Sequence, residues 1–117
     1  MRIDTNKLVR DRIPEIIQRD GRRCGIRIAS EEELVPLLKA KLIEEAQEAA
    51  ADDADLVKEL ADLAEVIDAL LAAEGLDYET IRAKQEKRRL ERGGFEKRLV
   101  LLWTEADPVN SPHGEEG

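Results

Sequence analysis

The chain has 117 residues, a formal net charge of -8 and a single cysteine, Cys24. That length suits one small domain whose core would gain from pairing with a second copy. The acidic balance argues against a duplex-binding protein, which needs a net basic face, and one cysteine excludes an intramolecular disulfide. Charged residues make up 39%, apolar ones 42% and aromatics only 3%, a balance that favours helices over a β-sandwich. No apolar run approaches the ~20 residues of a membrane span, and residues 1–12 are too charged for the apolar stretch of a secretory signal. The expectation is a cytoplasmic protein with no membrane or nucleic-acid partner.

In chain order, residues 13–20 read as a short helix with Pro14 in its first turn and Gly21 closing it. Residues 24–29 alternate apolar and basic side chains, the pattern of a short strand. Ser30 followed by Glu33 resembles a capping box and opens a helix to about Ala51. The run Asp52-Asp53-Ala54-Asp55 can turn the chain and cap a second long helix, which stops at Gly75 after Glu74. A further helix from Asp77 to about Glu91 ends at Gly93-Gly94. Residues 99–103, Leu-Val-Leu-Leu-Trp, read as a second strand that could pair with 24–29, with Trp103 at its edge. Residues 104–117 lack a periodic apolar pattern and read as a disordered tail after a single domain of residues 1–103. The expected fold is mainly α, a helical hairpin or bundle with a small two-stranded β element.

The informative feature is a set of carboxylates standing where leucines belong. At roughly 100° per residue, Leu56, Val57, Leu60, Leu63, Ala64, Val66, Ile67, Leu70 and Leu71 form one wide apolar face. Glu59 falls inside it and Asp62 lies on its edge. In the preceding helix Leu34, Val35, Leu38 and Leu42 define a stripe, Glu45 points between Leu34 and Leu38, Glu44 and Glu48 flank it, and Lys41 points among them. Folded as a hairpin, the two helices bring five carboxylates together. Like charges about 4 Å apart repel by roughly 4 kcal/mol at an effective dielectric near 20, and Lys41 offsets only one of them. A divalent cation is the natural counter-ion, and an all-oxygen donor set suits Mg²⁺, Mn²⁺ or Ca²⁺ rather than Zn²⁺ or copper. A di-iron bundle would require Glu-x-x-His motifs, and the one histidine, His113, stands in the tail.

Glu44-Glu45-Ala46-Gln47-Glu48 followed by Glu59-Leu60-Ala61-Asp62 resembles the E-E-x-x-E and E-x-x-D pair of the all-α nucleoside triphosphate pyrophosphohydrolases, the superfamily of MazG-like proteins, dimeric dUTPases and phosphoribosyl-ATP pyrophosphohydrolases. Ten residues separate Glu48 from Glu59, a shorter gap than is typical there. Lys7-Leu8-Val9-Arg10-Asp11-Arg12-Ile13-Pro14 and Arg92-Gly93-Gly94-Phe95 look like the ends of the stand-alone, house-cleaning MazG-like branch. The resemblance implies Mg²⁺-dependent hydrolysis, with Mn²⁺ an alternative metal, of nucleoside triphosphates, among them modified or damaged ones, to monophosphate and pyrophosphate. It also implies metal binding by Glu44, Glu45, Glu48, Glu59 and Asp62, with Glu45 and Glu48 the better candidates for the base.

The segment 82–98 is locally basic, and Lys84, Arg88 and Arg92 stack on one helical face where they could receive phosphate oxygens. Lys41 would join them, as would Lys7 and Arg10 on the strength of the N-terminal resemblance. The expected assembly is a homodimer or homotetramer. Two other readings stand beside this one: a phosphoribosyl-ATP pyrophosphohydrolase serving histidine synthesis, and a non-catalytic acidic helical module that binds a basic partner.

Overall fold

A computed structural model of the chain describes residues 1–106. Among these residues there are four helices and no strand: α1 (Ile13–Arg19), α2 (Glu31–Ala50), α3 (Leu56–Glu74) and α4 (Tyr78–Arg92). The chain divides into two compact units, Met1–Asp77 and Tyr78–Gly117. No described helix is long and apolar enough to cross a membrane.

The helix boundaries follow from local chemistry. At the start of α2 the Glu33 N–H donates to the Ser30 hydroxyl at 3.3 Å and the Ser30 N–H donates back to the Glu33 carboxylate at 2.8 Å. Each bond satisfies a donor the helix end leaves open. Arg27 grips the same carboxylate with both guanidinium nitrogens, and these partners hold Glu33 down at about 2. Asp55 caps α3 by accepting from the Lys58 N–H at 3.3 Å. That helix stops at Gly75, which takes the left-handed conformation at φ 65° while the Leu76 N–H reaches back to the Leu71 carbonyl at 2.9 Å. A glycine adopts that backbone without the steric penalty a Cβ would carry.

Between those caps α2 and α3 fold back on one another across the short Asp-rich turn and, among the described residues, form the one extensive helix–helix contact. Leu38 from α2 and Val66 from α3, 5% and 8% exposed, are the most buried residues of the described chain. Half-buried Leu34 and Leu42 continue the layer on α2, and Leu63 and Leu70 continue it on α3. The apolar surface of α3 is not one face, as its periodicity suggests, but two stripes. Glu59, Leu63, Val66 and Leu70 run along the side packed on α2, whereas Val57, Leu60 and Ile67 stand exposed, Val57 at 82%. A single neighbouring helix covers only part of an apolar arc wider than about 100°.

The two expected strands do not form. Residues 24–29 and 99–103 have no regular structure, and Ile26, Ile28 and Leu99 to Trp103 are all exposed. An isolated two-stranded ribbon is marginal in water without a surface to pack on, and neither segment has one. Trp103 is accordingly an exposed side chain rather than part of a strand edge. Of the expected tail, residues 104–106 lack regular structure and 107–117 lie outside the described residues.

Replacing Ser30 with Ala removes the acceptor that opens α2, the helix that carries half of the central layer. The variant should lose about 1 kcal/mol of unfolding free energy with an unchanged far-UV circular dichroism spectrum, as read from urea denaturation midpoints.

Candidate metal centre

The turn between α2 and α3 puts the last two turns of one helix beside the first of the other. On α2, Leu34, Leu38, Lys41, Glu45 and Glu48 follow one another at spacings of three and four, so the seam that is apolar at one end becomes charged near the turn. Glu59 enters the same seam from α3. The outcome is a trio, Glu45, Glu48 and Glu59, each with a carboxylate oxygen within 4.8 Å of the others.

Burial separates the members of this trio. The side chains of Glu45 and Glu59 are only 12% and 14% exposed, and one oxygen of each, Oε2 in both cases, is buried without a hydrogen-bond partner. Glu48 is exposed and closes the trio from the solvent side. Burial raises the Glu45 carboxyl above its usual range. The charge of Glu48 and a hydrogen bond with it add to the rise, Lys41 opposes it, and Asp62 reinforces it. Both directions are physical: a low dielectric and neighbouring anions disfavour the ionised acid, whereas a neighbouring ammonium favours it.

Cations surround the trio. Lys41 lies 3.6 Å from Glu44 and 3.9 Å from Glu45. Lys58 lies 3.4 Å from Glu59 and 3.3 Å from Asp62, which raises its own pKa. Two further cations come from the irregular N-terminal segment: the Lys7 ammonium sits 3.4 Å from Glu44 and an Arg10 guanidinium nitrogen 3.0 Å from Asp62. Arg10 also lies 3.9 Å from Glu65. Thus, of the five acids expected to converge, three meet one another, while Glu44 and Asp62 stand at the flanks, each held between two cations.

Lys7, Arg10 and Lys41 therefore lie with the carboxylates in the first unit. Lys84, Arg88 and Arg92 lie in the second unit on α4, a helix exposed along its whole length. There Arg89 pairs with Glu96 at 2.9 Å, and the Arg82 guanidinium sits 5.9 Å from the Tyr78 ring centre. Lys58 is the member of the cluster that sequence reasoning passed over. Its signal was present in the spacing, since a lysine four residues before Asp62 on a helix is placed to pair with it.

Three carboxylates sharing a few ångströms, with two buried oxygens unsatisfied, form an all-oxygen donor set that could hold a hard metal ion. Compared with protein-family profiles, with curated proteins and with solved structures, the chain gives no match.

An acid whose pKa is raised on folding takes up a proton in the native state before the unfolded chain does. Stability from this source is therefore present below the ordinary carboxylate range and is lost as pH rises through the raised value of Glu45. In chelator the melting temperature should fall over that window. Glu45→Gln, which cannot ionise, should abolish the decline, and an identical pH profile for parent and variant would refute the assignment.

Proposed function

We propose that the chain is a metal-dependent nucleoside triphosphate pyrophosphohydrolase, with its reaction centre in the acidic seam between α2 and α3. The observation that carries this reading is the meeting of Glu45, Glu48 and Glu59 with a buried, unpartnered oxygen on two of them. Unsatisfied buried carboxylate oxygens are costly, and a site built to bind a cation gives them a use. The order E-E-x-x-E then E-x-x-D on a helical hairpin, with its resemblance to the MazG-like enzymes, supplies the choice of reaction.

In this reading Glu45, Glu48 and Glu59 would hold the ion, with Glu44 and Asp62 joining as their cationic partners yield. A bound Mg²⁺ or Mn²⁺ would offset phosphate charge and would acidify water. Water attacks the α-phosphorus, the bond from that phosphorus to the bridging oxygen breaks, and pyrophosphate leaves a nucleoside monophosphate behind. Glu45 or Glu48 accepts the proton from the attacking water. Lys41 offsets charge at the inner side of the seam.

The same reading includes a second copy of the chain. Leu38 and Val66 are the only buried apolar residues of the described chain, and the Val57, Leu60 and Ile67 stripe is open. So little burial does not offset the conformational entropy of ordering helices of this length. A partner hairpin laid on that stripe would complete the core as a dimer or a pair of dimers. Light scattering should therefore report a mass well above the 13.2 kDa chain, and Leu60→Glu should lower it. A clean monomer for the parent would overturn the second copy.

Catalysis is tested by pyrophosphate release from a panel of ordinary and modified triphosphates and phosphoribosyl-ATP, with Mg²⁺ and with chelator. Glu59→Gln keeps size and polarity but removes a ligand charge, so release should fall by orders of magnitude while stability in chelator holds or rises. Asp68→Asn, exposed and half a turn of helix direction away from Glu59, should stay within a few-fold of the parent. Equal, mild effects of both substitutions would rule out the seam as the reaction centre.

A further inference from the structure

Much of the charge of the acidic seam is offset as it stands. Four of its five carboxylates, Glu44, Glu45, Glu59 and Asp62, are met by four cations, Lys7, Arg10, Lys41 and Lys58, while Glu48 closes the trio and Arg10 also reaches Glu65. The four are not equivalent. Lys41 and Lys58 project from α2 and α3, so their backbones are fixed by the hairpin that carries the acids. Lys7 and Arg10 belong to residues 1–10, which have no regular structure, and both side chains are more than half exposed.

The N-terminal segment is nonetheless tied at defined points. Leu8 is its one half-buried residue, between the two cations. Its far end joins α1, where the Arg10 carbonyl accepts from the Ile13 N–H at 3.0 Å. Asn6, with φ of 49°, turns the backbone just before Lys7. A short chain half-buried only at Leu8 and joined to a helix start can swing its long cationic side chains without unfolding anything else.

We propose that this segment is a counter-ion strap: Lys7 and Arg10 occupy Glu44 and Asp62 while the seam is free of metal, and transfer to the phosphate oxygens of a triphosphate once a divalent cation has entered. The inference rests on the metal site described under the proposed function. Its physical basis is charge. The strap contributes two positive charges to the seam, the same number a divalent cation brings, so the exchange leaves the seam's net charge unchanged. Strap and metal compete for the negative charge of the same carboxylate cluster, and each must weaken the other's hold. A triphosphate, with about four negative charges, then presents the released ammonium and guanidinium with oxygens that carboxylates alone do not supply. Arg10 can engage two of those oxygens at once through its planar fork.

Competition predicts effects of opposite sign from one substitution. In the full-length protein, Lys7→Gln combined with Arg10→Gln should bind Mn²⁺ several-fold more tightly than the parent, by calorimetry or by the electron paramagnetic resonance signal of free Mn²⁺. The gain should shrink as salt screens the seam. At saturating Mn²⁺ the same variant should bind an α,β-methylene nucleoside triphosphate several-fold more weakly. Arg10→Lys keeps the charge and should retain the parent's Mn²⁺ affinity. Unchanged or weaker Mn²⁺ binding by the double variant overturns the strap, as does tighter Mn²⁺ binding with undiminished affinity for the analogue. If the parent itself binds no Mn²⁺, the metal site fails and the strap with it, whereas Mn²⁺ binding that the double variant does not tighten refutes the strap alone.

Discussion

The dominant constraint on this molecule is electrostatic: acidic side chains occupy the layer through which its two longest helices pack. Along most of the hairpin that layer is made by Leu38, Val66 and their apolar neighbours, and it holds by ordinary burial. Near the turn it passes to Glu45, Glu48 and Glu59. Carboxylates so placed lose hydration and repel one another, and both effects grow as the local dielectric falls. The raised pKa of Glu45 and the two unpartnered buried oxygens are direct expressions of that stress.

The surroundings of the seam are ordered by the same constraint. Lys41 and Lys58 sit one turn from the acids on their own helices, where i,i+3 and i,i+4 geometry brings opposite charges together. Lys7 and Arg10 come from much further along the chain, 37 and 52 residues from their partners, and thereby attach an otherwise irregular segment to the hairpin. Such partly exposed pairs are individually weak. Their collective role is to make an acidic packing layer tolerable. The caps at Ser30 and Asp55 hold the two helices in a register that lets the acidic ends meet. Slippage by a single residue would rotate Glu59 by about 100°, out of the seam.

Scarce burial is the second consequence. Every carboxylate in the layer displaces a side chain that would have contributed hydrophobic free energy, at roughly 25 cal/mol per Å². The hairpin has a small apolar core and an open stripe on α3, features that fit a protomer completed by another copy. In the proposed enzyme, assembly and catalysis therefore draw on the same two helices: one stripe of α3 for the partner, the other for the site.

The four helices were legible in the sequence because the forces that start and stop them act within a few residues. Ser30 with Glu33, Asp55 with the Lys58 N–H, and Gly75 at a left-handed terminus are local events. The presence of acids on the inward side of α2 and α3 was legible for the same reason, since helical periodicity assigns directions without knowledge of neighbours. Residues 24–29 and 99–103 show where that reading stops: a strand exists only through pairing, and alternation cannot supply the partner. Nor could periodicity divide the wide face of α3 into a packed stripe and an open one, or choose which three of five acids would meet. Those outcomes depend on how closely two helices approach and on which cations reach the flanks, among them Lys7 and Arg10 from a segment with no periodic signal. Local chemistry determined the helices and the direction of their charges; tertiary packing alone decided which charges became neighbours, because Coulomb interactions depend on distances through space that sequence separation does not encode.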